Sequence, residues 1–176
     1  WKNPRRHWLL KAPPHMWHLP ELFNTFPDAK VLYTHRDPLK ANASNISLLG
    51  TLYWMRSDRA FDPSSFERLL SPDVMSSALN SIIDLFESDV IDSTNVHHVL
   101  YDELVSRPFD CIVDIYHRLG FALDKESENS IKRFIESKPQ GKFGKHHYQS
   151  AEGVEELRAR SLFSRYQAYY NVPNEQ

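Results

Sequence analysis

Val31, Leu32, Tyr33 and Thr34 form an unbroken run of strand-forming residues. The run is entered from the turn signal Phe26-Pro27-Asp28 and stops at His35-Arg36-Asp37-Pro38. Beyond it the apolar positions change to helical spacing, through Leu39, Ala43, Ile46 and Leu49 or Gly50. Asp37 is a good N-cap, and Pro38 suits the first helical position, where its missing N–H costs nothing. The pattern predicts a strand, a tight turn and a helix, with the Arg36 guanidinium at the strand's carboxyl end. Two more runs predict strands, over residues 8–11 (Trp-Leu-Leu-Lys) and 96–101 (Val-His-His-Val-Leu-Tyr). The first is left at once through Ala12-Pro13-Pro14-His15, so it too ends in a cation and a loop.

Helical periodicity fills the rest. Leu19, Leu22, Phe23 and Phe26 predict a short helix crossing between parallel strands. Ser71-Pro72-Asp73 opens a long helix striped by Met75, Leu79, Ile82, Ile83, Phe86 and Val90. Phe109, Ile112, Ile115, Tyr116 and Leu119 mark another, closed by Gly120. A helix over residues 125–137 carries Ile131, Phe134 and Ile135. The last, over 153–170, is expected to pack Val154, Leu157, Leu162, Tyr166 and Tyr169 or Tyr170. Strands alternating with helices predict an α/β protein, a three-layer α/β/α sandwich around a central parallel sheet.

Composition narrows this only a little. The chain has 176 residues, 41% hydrophobic, and reads as one globular domain or a large part of one. It begins with Trp1, which reads as a piece of a longer protein or a processed one. No run approaches the ~18–20 apolar residues of a membrane helix, and no signal peptide is visible. The single Cys111 sits in an apolar helical run and reads as buried filler. One Cys and no targeting segment favour a cytoplasmic setting. Charge is unevenly placed: residues 1–60 hold nine Lys and Arg against four Asp and Glu, whereas residues 61–137 hold six against fifteen. This pattern suits a local anionic ligand better than nucleic acid, which would need a broad basic surface.

Ligands of open α/β sheets bind outside the carboxyl ends of the strands. Arg36 would sit there, beside a helix N-terminus whose free N–H groups and dipole favour an anion. Ser44, two turns into that helix, is a hydroxyl donor for the same ligand. An Arg suits bidentate phosphate binding, but a surface Arg36–Asp37 pair fits the same residues as well. Lys11 ends its strand as either a ligand group or a solvated end. The loop 138–150 holds two glycines with Lys142, Lys145, His146 and His147, a basic loop able to approach a ligand closely. Adjacent His97 and His98 point to opposite faces of a strand, which argues against a paired metal site.

The stretch Thr-His-Arg-Asp-Pro, with Ser44 eight residues after Arg36, resembles the 3'-phosphate-binding segment of the sulfotransferase family. These enzymes use 3'-phosphoadenosine 5'-phosphosulfate (PAPS). Leu-Leu-Lys-Ala-Pro-Pro-His-Met resembles the family's Leu-Lys-x-Pro-x-His segment, and Tyr-Asp-Glu-Leu at 101–104 its Tyr-Glu-Asp-Leu block. The resemblance implies a P-loop NTPase-like fold and sulfuryl transfer from PAPS to a small-molecule, glycan or lipid acceptor, without a metal. It implies Arg36 and Ser44 as 3'-phosphate ligands, Lys11 and His15 as catalytic groups, and Lys142 and Lys145 in a loop closing over the nucleotide. Pro13 falls where the better-studied cytosolic enzymes carry their His. The Gly-rich loop for the 5'-phosphosulfate has no counterpart in these residues, so a partial, N-terminally truncated domain over residues 1–176 is expected. A non-catalytic nucleotide-binding module and another P-loop-type transferase, such as a nucleotide kinase, remain the alternatives.

Overall fold

The computed structural model describes residues 8–138 and 153–175. Two strands, β1 (Val31–His35) and β2 (Val96–Leu100), pair in parallel, with Val31 opposite Val96 and His35 opposite Leu100. Parallel neighbours need a long crossover. Here it runs through α2 (Pro38–Trp54), α3 (Glu67–Leu70) and α4 (Pro72–Glu87). Before β1 lies α1 (Leu19–Thr25), and after β2 come α5 (Tyr101–Ser106), α6 (Pro108–Arg118), α7 (Lys125–Ser137) and α8 (Val154–Tyr170). The α/β class and the parallel sheet are those expected. Among the described residues no helix is long and apolar enough to cross a membrane.

Local chemistry explains the helix ends. The Asp37 carboxylate accepts from the Leu39 N–H at 3.0 Å, and Pro38 follows at the first helical position. Ser71 caps α4 in the same way, again ahead of a proline. Gly120, at φ 75°, closes α6 with a pair of reversed hydrogen bonds, Phe121 N–H to Tyr116 and Gly120 N–H to His117.

One core cluster joins α4 to α8 through Leu79, Ile83, Phe163, Tyr166 and Val172, while a second packs Leu19, Ile91 and Val96 beneath α1 and β1. Arg165 bridges α8 to Asp84 and Glu87 of α4 at 2.7 and 2.8 Å, and Arg158 reaches Asp73.

Two expectations are corrected. Residues 8–11 form no strand, and Trp8, Leu9 and Leu10 are exposed. A parallel strand needs a neighbour for its backbone N–H and C=O groups, and the sheet formed by the described residues has two members, β1 and β2. The buried face of α8 is also different. It runs through Ala159, Phe163 and Tyr166, whereas Val154 and Leu157 are exposed. Apolar residues lie on more than one side of this helix, so period alone did not select the face.

Candidate active site at the carboxyl end of the sheet

Strand alternation sends Val31, Tyr33 and His35 to the covered face of β1, leaving Leu32 and Thr34 exposed on the other. His35 is fully buried and stacks on Tyr170, ring centroids 3.9 Å apart. Its Nδ1 lies 2.9 Å from the Tyr166 hydroxyl and its Nε2 2.8 Å from His98 Nδ1. The Arg36 backbone N–H also donates to the Tyr166 oxygen. In either tautomer both ring nitrogens of His35 have a partner, so the ring is satisfied when neutral. Burial, with His98 adding repulsion, pushes the His35 pKa down to about 3. Burial lowers that of His98 as well and raises the phenols of Tyr33, Tyr166 and Tyr170. A neutral, stacked aromatic block therefore backs the strand end.

The chain then turns. Asp37, as buried as His35, caps α2 with one oxygen. Its other oxygen accepts from Arg160 of α8 at 3.3 Å and from the Glu175 backbone N–H at 2.9 Å. Arg160 also donates to Glu156 and Asn174. The single bend at 36–37 is thus held by a cap, an ion pair and a backbone hydrogen bond.

Between these two buried residues Arg36 points outward into a cleft of about 450 Å³, whose walls include Tyr101, Asp102, Val105 and residues 172–175. The guanidinium carbon lies 4.4 Å from the centre of the Tyr101 ring, a cation–π contact. Its Nε and Nη2 donate to both carboxylate oxygens of Glu175, at 2.8, 3.1 and 2.8 Å. The Arg36 fork is thus occupied by a planar pair of acidic oxygens, the grip that suits a carboxylate or a phosphate.

The predicted residues distribute unevenly around this centre. Arg36 is in the cleft. Ser44 is half-buried on the second turn of α2, on the line 37–41–44 that shares a helix face with Asp37. Lys11 and His15 are exposed at the entry and middle of a 3₁₀ segment, Pro13–Trp17, and neither lines the cleft. Lys142 and Lys145 lie outside the described residues. Asp37 pairs with Arg160 rather than with Arg36, so the surface-pair reading of this turn does not hold. Cys111 is buried and unbridged, as expected of filler.

Sequence reasoning missed His35, His98, Tyr166, Tyr170, Arg160 and Glu175. A faint signal existed for the first four: Tyr33 and His35 share a strand face by period two, and Tyr166 and Tyr170 share a helix face at i, i+4. Glu156 and Arg160 stand at i, i+4, but nothing local marks the Arg160–Asp37 or Arg36–Glu175 pairings, which join residues 123 and 139 apart.

The strand–Arg–helix corner, the Tyr101 wall and the parallel sheet together define an α/β protein with a cleft at the carboxyl end of its sheet. The chain belongs to the sulfotransferase family, whose sequence model matches residues 2–125. Among solved structures, the sulfotransferase STF9 from Mycobacterium avium is similar, with 25% identity and a TM-score of 0.67. The match covers 96% of this chain and 43% of that one, so the chain spans less than half of that protein's length. None of the curated proteins matches the chain. The matched family span contains Lys11, His15, Arg36, Ser44 and Tyr101, and it stops short of α8 and Glu175.

Proposed function

We propose that this chain carries the 3'-phosphate-binding half of a PAPS-dependent sulfotransferase site, with Arg36 and Ser44 as the phosphate ligands. The observation that carries the reading is the occupied fork of Arg36. Its guanidinium sits at the carboxyl end of a parallel strand and the N-terminus of a 17-residue helix, already holding an anion in bidentate fashion. The residues present fit a phosphate monoester there. Bound PAPS would supply the transferable sulfuryl group. The chain's own part is to bind, orient and balance charge.

In this reading Arg36 fixes the nucleotide's register, and Tyr101 keeps the guanidinium facing the cleft. Lys11 lends positive charge to the reacting end, and His15 takes the proton from the acceptor hydroxyl. A general base of this kind typically contributes ~10²–10⁴-fold. Lys142 and Lys145 supply further charge over the nucleotide. The acceptor is a small molecule, a glycan or a lipid.

The test is calorimetric titration with adenosine 3',5'-bisphosphate. Micromolar binding by the wild type, weakened at least tenfold in Arg36→Ala and less in Ser44→Ala, is the expected result. Unchanged affinity in folded Arg36→Ala would remove the phosphate from this corner.

A further inference from the structure

The anion gripped by Arg36 belongs to the protein itself. We propose that Glu175 is an internal competitor for the anion position on Arg36. Its carboxylate takes the donors that a ligand phosphate would use, and must swing aside before that phosphate can engage. The inference rests on the reading of Arg36 as a phosphate ligand and adds a residue outside the matched family span.

Residue 175 is delivered to the cleft by a built segment. Asn171 ends α8 in the left-handed region at φ 54°, a conformation asparagine tolerates, and turns the chain back. Val172 is then buried in the α4–α8 core. The Gln167 amide donates to the Val172 carbonyl and, at 2.8 Å, to Asn174 Oδ1, which also accepts from Arg160 at 2.7 Å. Last, the Glu175 backbone N–H donates to buried Asp37. The backbone is thus anchored from both α8 and the β1–α2 turn. The Glu175 side chain differs: it keeps 27% of its surface exposed, at a cleft open enough to receive it elsewhere. It can leave Arg36 by side-chain rotation while the backbone stays.

Charge decides the competition. A carboxylate carries one negative charge, whereas a phosphate monoester carries about 1.5 to 2 at neutral pH. The phosphate therefore wins the fork, but its affinity is reduced by the pair it breaks. A nucleotide with no phosphate at this position does not contest the fork and is unaffected. Glu175 thus lowers affinity only for ligands that reach Arg36.

The experiment titrates adenosine 3',5'-bisphosphate and adenosine 5'-monophosphate into the wild type, Glu175→Gln and Glu175→Ala, with Arg36→Ala as reference and thermal melting to verify folding. Both Glu175 variants should bind the bisphosphate about 5- to 30-fold more tightly, the weight of a charge-assisted pair, with the monophosphate unchanged. Unchanged or weaker bisphosphate binding in both variants, while Arg36→Ala still loses it, overturns the competitor role and leaves the Arg36 site standing. Equal tightening of both nucleotides also overturns it, since the effect would not pass through the fork. Full affinity in Arg36→Ala, or no binding by any variant, overturns the site reading and the competitor with it.

Discussion

Residues 8–17 and residues 31–38 are written in nearly the same sequence grammar: an apolar run, a cation, then a proline. They end up differently. Around 31–38, β2 satisfies the strand's edge, α8 supplies Tyr166 and Arg160, and the result is a buried corner with one guanidinium presented to a cleft. Around 8–17, Trp8, Leu9 and Leu10 stay exposed, residues 8–12 form no regular element, and a 3₁₀ turn follows at Pro13–Trp17. The lesson is that a strand-and-cation motif is a proposal about partners. Arg36 is held at its corner because other segments fix its neighbours, His98 and Tyr166 at His35 and Arg160 at Asp37, and Lys11 lacks such a setting among the described residues.

The contrast is sharpest at Asp37. Removing a buried N-cap that also pairs with Arg160 should cost about 2–4 kcal/mol in Asp37→Ala, read from urea denaturation. Asp37→Asn, which keeps the cap acceptor, should cost less. A loss in Asp37→Ala below about 0.5 kcal/mol, the range of ordinary surface changes, would mean that the corner is not clamped.

Acid offers a second test. The pKa of folded His35 is about 3 against an ordinary 6.5, so between those values the unfolded chain binds a proton that the folded chain refuses. Stability is full above about pH 6.5 and falls as the pH drops toward 3, by up to ~1.4 kcal/mol per pH unit for one such group. His98, lowered by burial in the same direction, adds to that decline. Urea midpoints between pH 7 and 4 should decline, and His35→Gln should flatten the decline. An equal slope in the variant would assign the acid loss to other groups.

The smallest effect belongs to the other region. Lys11→Ala and His15→Ala, both on exposed side chains, should change stability by no more than about 0.5 kcal/mol and leave bisphosphate affinity within about twofold. A tenfold loss of affinity in Lys11→Ala would give that exposed side chain the weight expected of Arg36 and erase the contrast.

Much of the frame was legible because its signals are local. Asp37-Pro38, Ser71-Pro72 and Gly120 mark element ends with chemistry confined to a few residues, and the Leu79, Ile82, Ile83 stripe marked the buried side of α4. Arg36 was legible for the same reason, as a cation at a strand-to-helix switch. What failed was non-local. The strand expected at 8–11 depended on a neighbour, and the face of α8 depended on where α4 lay. The histidine–tyrosine block and the Arg160 and Glu175 contacts join residues whose spacing no window of sequence reveals. The Tyr101 wall is intermediate: its resemblance to a family block marked it, but only the fold brings its ring over Arg36.

If the Arg36 fork is a phosphate position held closed by Glu175, a bound nucleotide must displace that carboxylate. A crystal structure of the chain soaked with adenosine 3',5'-bisphosphate tests it most directly. The expected result is the 3'-phosphate within hydrogen-bond distance of Arg36 Nε and Nη2, the Glu175 carboxylate turned away, and Asp37 still bound to the residue 175 backbone. A nucleotide bound elsewhere, with the Arg36–Glu175 pair intact, would contradict it.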